Sequence, residues 1–393
     1  MLSETYIVLR SQDMMVPTID NLGRGSSFDA LPVEPATLTV EAADLTGTER
    51  LDLRRDPRTR AIAPMMPMTL IQPVASDQVS TATLSSNTWG IDAVGAAASS
   101  FDGSGITVAV LDTGIDPAHP AFAGVDLTQR NFTTEGDNDQ NGHGTHCAGT
   151  IFGKDVDGTR IGVARNIRRA LIGKVLGEGG GSSLTIAQAI QWAANEGANI
   201  ISMSLGIDFP GYVNYLVDQQ GLDLRPATSI ALEGYRANIN LFTELSRLIE
   251  AANLFGQGTI LVAAAGNESN RPDYEIAVAP PAAGTGVIAV GALQQGDDGL
   301  TVASFSNNQV NIAAPGVDII SAWPGGGLRS LSGTSMATPH VAGVAALWAQ
   351  EQLEQTRRID SQLLTARLIA SGTLLPLAPA DPEDIGAGLV RTP

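Results

Sequence analysis

The sequence predicts an α/β fold, a parallel β-sheet flanked by helices and preceded by a small α+β unit. Beyond Trp89, short continuous apolar runs at 106–111, 170–175, 200–205, 260–264, 287–290 and 310–314 alternate with helical segments at 184–196, 239–254 and 335–351. Strands covered on both faces read as unbroken apolar runs, so the sheet is expected to be parallel. Glycine is abundant, 43 of 393 residues, and falls mostly between these runs, as tight turns require. A chain of 393 residues accommodates one large domain and a smaller one.

The smaller unit comes first. Strands are expected at 6–9, 37–41 and 60–71, with a short helical or turn segment at 50–56. Residues 72–87 are small and polar without apolar periodicity and read as a linker. The predicted organisation is a unit over 1–75, a link over 76–87 and a main domain over 88–393.

Composition narrows the function. The formal charge is −18 and only Lys154 and Lys174 are lysines, which excludes the basic patch that nucleic-acid binding needs. Cys147 is the single cysteine, so internal disulfides are excluded. No window reaches the roughly 18 apolar residues of a membrane span. The first residues carry neither a basic nor a long apolar segment, which points to the cytoplasm, although a shortened secreted chain would read the same.

Three motifs carry chemistry. Val110-Leu111-Asp112-Thr113-Gly114 puts an acid at the carboxyl end of a buried strand, where open α/β sheets place their sites; such an acid is structural about as often as functional. Asn141-Gly142-His143-Gly144-Thr145-His146-Cys147 holds two of the four histidines, with glycines that let the backbone pass close to a substrate and small residues suited to a packed helix. His-x-x-His lacks the spacing and glutamate of a zinc-protease helix, so no metal is assigned there. Gly333-Thr334-Ser335-Met336-Ala337-Thr338-Pro339-His340 opens an apolar helix with a serine, in isolation most simply an N-cap.

The chain order Asp112, His143, Ser335 is one of the known orders of the Asp/His/Ser triad. With these three motifs the sequence closely resembles the subtilisin-like serine proteases (subtilases), over about residues 89–390. The resemblance implies a serine endopeptidase with Ser335 as nucleophile, His143 as base and Asp112 as its orienting group. It implies that Asn267, in Ala263-Ala264-Ala265-Gly266-Asn267-Glu268, lends its amide to an oxyanion hole. Ser204, Leu205 and Gly206 resemble the strand on which family substrates pair. Ala264, Ala265 and Gly266 then line the groove, Ala279 and Ala282 floor the first specificity pocket (S1) and Glu268 stands at its mouth, implying an apolar or broad preference for the residue before the cut (P1).

The N-terminal unit resembles the family propeptide, which chaperones folding and leaves its last strand in the active site. On that reading 60–66 is the final strand, 72–87 holds the self-cleavage point, and the unit is an intramolecular inhibitor; a tethered accessory domain is the alternative. Other partners are polypeptide substrates, with no nucleic acid or membrane, and the chain is expected to act as a monomer. An insert over about 208–240, with Phe209, Tyr212, Tyr215 and Tyr235, either folds over the groove or packs as a surface excursion. If it shields the acyl-enzyme from water, the reaction becomes transpeptidation or macrocyclisation; a permanently latent, peptide-binding form is the other alternative. No cofactor is required. The positions from which the family's strong calcium site draws side chains hold Ala121 and Val156, leaving Asp137, Asp139, Asp155 and Asp157 as the carboxylates that calcium could use. Cys147 is expected to pack under the histidine helix, and Met336 is open to oxidation beside the nucleophile.

Overall fold

The computed structural model describes residues 4–11, 38–73, 86–252 and 257–393. Most of the predicted link and of the first half of the N-terminal unit therefore lies outside the described residues.

The N-terminal unit contains β1 (Glu4–Ser11), β2 (Leu38–Leu45), α1 (Gly47–Arg55) and β3 (Thr59–Pro64), the strands forming an antiparallel sheet in the order β2-β1-β3. Thr46 and Glu49 start α1 with a reciprocal capping box, each satisfying an amide of the other. Period 2 explains the apolar run in β1. Tyr6 and Val8 pack with Leu45 and Leu53, while Ile7 and Leu9 face the main domain.

The predicted strand at 60–71 divides. After β3, Pro64 and Pro67 interrupt the amide ladder and the chain leaves the small sheet. It continues as β4 (Pro67–Leu70), which pairs with other partners inside the main domain.

The main domain runs α2 (Trp89–Val94), β5 (Thr107–Asp112), β6 (Asp126–Asn131), α3 (His143–Phe152), β7 (Arg169–Lys174), β8 (Gly181–Ser182), α4 (Ser183–Asn195), β9 (Ile200–Met203), β10 (Leu205–Gly206), α5 (Phe209–Asp218), α6 (Leu224–Ala252) and β11 (Ile260–Ala264). It ends with β12 (Val287–Gly296), β13 (Gly299–Val302), β14 (Ile312–Pro315), β15 (Ile319–Trp323), β16 (Gly327–Leu331), α7 (Thr334–Thr356), α8 (Ser361–Ala370) and α9 (Pro382–Ile385). The main sheet has eight strands in the order β13-β12-β11-β9-β5-β7-β6, with β14 also on β12; every pairing is parallel except β12–β13. The α/β class is as predicted, and β9 and β11 are buried along their whole length.

One core lies on the α3/α7 face of the sheet, the other between the opposite face, α4, α6 and the N-terminal unit. Helix α3 is buried throughout and α7 along its first fourteen residues, which explains an α7 sequence apolar on every side. The insert is helical, α5 and the first half of α6. Its buried positions Ala227, Ala231, Gly234 and Asn238 recur every three or four residues, but are too small or polar to register as an amphipathic stripe. Gly234 lets Met66 come close: a β-carbon there would lie 2.8 Å from its sulfur.

Candidate active site

The carboxyl ends of β5, β9 and β11 meet the N-termini of α3 and α7, bringing Asp112, His143, Ser335, Ser204 and Asn267 together. His143 Nδ1–H donates to Asp112 Oδ1 at 2.8 Å, and that oxygen also accepts Thr113 N–H at 2.8 Å. Both side chains are 1 % exposed. Burial opposes an imidazolium at His143, but the Asp112 carboxylate and the Cys147 sulfur favour it more strongly, and its pKa stands well above the usual histidine value.

The glycines around His143 serve α3 itself rather than the substrate. A β-carbon on Gly142, at φ 92°, would lie 2.5 Å from the Trp323 ring, and one on Gly144 2.2 Å from Gly114 O. Asp139, a calcium candidate from sequence, instead fastens this junction. Its carboxylate accepts Thr113 Oγ1–H and Gly142 N–H through one oxygen, and Thr145 N–H and Oγ1–H through the other, at 2.6 to 2.9 Å. His146 turns away, its Nε2 on Ile319 O and Arg329 O, so His-x-x-His does not converge on a metal.

Ser335 is not the cap of α7; Gly333 is, and Ser335 is the second helical residue. Its N–H is among the first-turn amides that lack an intrahelical acceptor. Pro339, four residues on, has no N–H to offer the Ser335 carbonyl. That carbonyl instead accepts Ser204 Oγ–H at 3.0 Å and the Cys147 thiol at 3.4 Å. Cys147 is fully buried, as expected, and burial pushes its thiol pKa up. Asn267 Oδ1 accepts both Thr334 N–H and Oγ1–H at 2.9 Å, which turns Nδ2 toward the groove. A β-carbon on Gly333 would lie 2.9 Å from that Nδ2, so glycine keeps the space clear.

The groove is filled by the protein's own chain. Strand β4 lies between β8 and β10, antiparallel to both, with Leu70 opposite Leu205 and Thr69 opposite Gly206. Met68, Leu70 and Ile71 are buried while Pro67 and Thr69 face out. Ser335 Oγ–H donates to Ile71 O at 3.0 Å, and Asn267 Nδ2 to Gln72 O at 2.9 Å. Among the described residues His143 Nε2 has no hydrogen-bond partner. The Asp112–His143 hydrogen bond is made, then, while the Ser335 proton is directed to the Ile71 carbonyl.

Of the predicted pocket residues, Ala264 ends β11, Gly266 N–H donates to Thr334 Oγ1, and Ala279 stands beside Gly206. Ala265 is buried in the core beneath them. The Glu268 carboxylate accepts Asn307 Nδ2–H at 2.6 Å, and burial raises its pKa. Sequence reading missed Asn307, which lies 39 residues away from Glu268. Ala282 belongs to the same buried core as Phe242.

The family's calcium position does not fit the ion. Ala121 and Val156 join the apolar core, and Lys154 Nζ donates to Ala123 O beside them, whereas calcium takes six to eight oxygen ligands. Asp155 pairs with Arg165 at 3.3 Å and Asp137 accepts Asn131 Nδ2–H at 3.1 Å. Among the described residues the one cluster of metal-ligating type is Asp112, His143 and Cys147, which contains the Asp112–His143 hydrogen bond. No described helix is long and apolar enough to cross a membrane.

The model of the subtilase family matches residues 103–369. Alkaline serine exoprotease A of Vibrio alginolyticus is 31% identical over 379 residues, which cover 89% of this chain and 61% of that protein. The intracellular serine protease of Paenibacillus polymyxa is 37% identical over 254 residues, 63% of this chain and 68% of the relative. An alkaline protease of Alkalihalobacillus alcalophilus is 35% identical over 331 residues, 82% and 70% respectively.

Proposed function

This chain belongs to the subtilase family, and on that premise we propose that it is a serine endopeptidase made as a latent precursor, inhibited by its own N-terminal unit. The observation that carries this reading is the convergence of Ser335 and Asn267 on the carbonyls of Ile71 and Gln72, beside a bonded Asp112–His143 pair.

In the reaction Ser335 Oγ attacks the scissile carbonyl carbon while His143 Nε2 takes the hydroxyl proton. Asp112 holds the imidazole in the required tautomer and stabilises the cation. Asn267 Nδ2–H and Ser335 N–H stabilise the oxyanion. The intermediate collapses as His143 returns the proton to the leaving amine, and water then cleaves the ester by the same route.

Leu70 pairs with Leu205, and the next residue, Ile71, brings its Cδ1 near Gly206, which supports Ile71–Gln72 as the bond processed. Cleavage one residue later would expel the imino nitrogen of Pro73. In the latent arrangement the Ser335 proton rests on Ile71 O, and Asn267 holds the carbonyl one residue too far along. Before attack the Ile71 carbonyl must turn to Asn267 in place of Gln72 O, with the pairing of β4 kept. The insert packs against β3 and beside S1, so shielding of the acyl-enzyme from water gains no support.

Fluorophosphonate labelling of Ser335, with intact mass followed over time, tests the reading. Loss of residues 1–71 with labelling of the remainder is expected, and Ser335→Ala should show neither. Absence of both from the unmutated chain would overturn the reading. Calcium is not part of the proposed mechanism: EDTA should leave peptide hydrolysis unchanged, and an EDTA loss reversed by calcium would refute that. We place its action inside cells, as the likeness to the intracellular serine protease of Paenibacillus polymyxa supports; recovery of activity in the medium would overturn this.

A further inference from the structure

Beside the groove lies a cavity of about 240 Å³, walled on one side by Phe209, Leu232 and Tyr235 of the insert and on the other by Ala279, Glu268 and Asn307. It adjoins the peptide path. A β-carbon on Gly206 would stand 3.5 Å from Ile71 Cδ1 and 3.8 Å from Cβ of Ala279, so Ile71 and a residue of the cavity lining approach Gly206 together. We propose that the insert extends S1 into this cavity, and that Phe209, Leu232 and Tyr235 select a large apolar P1 side chain, aromatic or long aliphatic. The proposal rests on the peptidase reading and adds to it a specificity wall contributed by this chain's own insert.

The wall is built to hold its shape. Phe209 and Tyr235 meet edge to face with centroids 5.4 Å apart. Tyr235 O–H donates to Val278 O at 2.7 Å, anchoring α6 to the segment that carries Ala279. Burial pushes that phenol up to about 12, so it remains a neutral donor across the working range. The one carboxyl in the lining, Glu268, accepts Asn307 Nδ2–H, and apart from these two and Tyr235 the lining side chains are apolar. The cavity leaves room beyond a branched aliphatic side chain at its mouth. Apolar side chains that fill such a space gain roughly 10- to 200-fold per methylene in kcat/KM.

Two experiments test the wall. With the processed enzyme and a peptide series differing only at P1, Phe, Leu and Met should exceed Ala by about 100-fold or more, and Leu232→Trp should reduce the Phe-to-Ala ratio at least about tenfold. An unchanged ratio, or a preference for Lys abolished by Glu268→Gln, overturns the proposal. Failure of the unmutated enzyme to cut any peptide instead counts against the peptidase reading. The second readout needs no turnover. In the full-length Ser335→Ala chain, Ile71→Phe should raise the thermal midpoint by filling the cavity, and the gain should vanish when Leu232→Trp is added. A lowered midpoint for Ile71→Phe overturns the wall whether or not the protein is a peptidase.

Discussion

Asn267 is the residue whose orientation most directly measures the proposed chemistry. Thr334 holds its Oδ1 with two donors, so Nδ2 is positioned before any substrate arrives. Asn267→Ala should lower kcat about 100- to 1000-fold with little change in KM, the scale known for this donor in subtilisin, a member of the same family. Steady-state kinetics on the processed enzyme checks this, and a loss confined to KM would contradict the role. At His143 the base must be neutral to accept the serine proton, and its pKa is raised. The acid limb of kcat/KM should therefore lie above pH 6.5, with activity rising as pH increases through it; Asp112→Asn should remove most activity and move the limb down. A pH–rate profile decides. The family was legible because its chemistry demands particular residue types within long motifs. Asp139 was not, because in sequence a carboxylate that accepts four hydrogen bonds looks the same as one in water.

Among the elements, β4 and α6 explain what sequence could not reveal. Residues 60–71 form one apolar, β-prone stretch, and what divides it is a change of partner, a non-local fact that strand propensity does not contain. Pro64 and Pro67 were the local signals. Helix α6 was read from its Leu241-Leu245-Ile249 half, where the buried stripe is apolar. Its first half carries the same period in small residues, because that face admits the N-terminal unit closely. Asn238 Nδ2–H donates there to Pro64 O at 3.1 Å. Asn238→Ala removes this buried bond, at a cost of about 1 to 2 kcal/mol, and should weaken the hold on the inhibitory unit roughly 5- to 30-fold. The lag before full-length protein becomes active should shorten accordingly; an unchanged lag would show that α6 does not secure the inhibitor.

For the molecule as a whole, buried histidines set an acid limit. Burial lowers His146 to about 3 and His340 to about 4, against an ordinary value near 6.5. Below pH 6.5 the unfolded chain takes up two protons that the folded chain refuses, so stability falls toward pH 4 by about 2 to 3 kcal/mol per pH unit. His143 has the opposite shift: its contribution is complete below pH 6.5 and is lost only as pH rises through its raised pKa. Glu268, also raised, offsets part of the fall at the acid end. Urea midpoints of Ser335→Ala, free of self-digestion, should drop between pH 6.5 and 5; a flat or rising series would contradict the burial of these imidazoles.

The slot that β4 fills has two edges, β8 and β10, facing each other across the width of a single chain. Anything that replaces β4 must become the middle strand of a three-stranded sheet, giving its amides and carbonyls to both neighbours. A segment already committed to a helix, or paired within its own sheet, cannot do this without first being released. Which bonds in a folded protein are cut then depends on how often their neighbourhood opens, as much as on the side chain before the bond. Native domains should resist and their unfolded forms should not, making the enzyme in effect a sensor of conformational state.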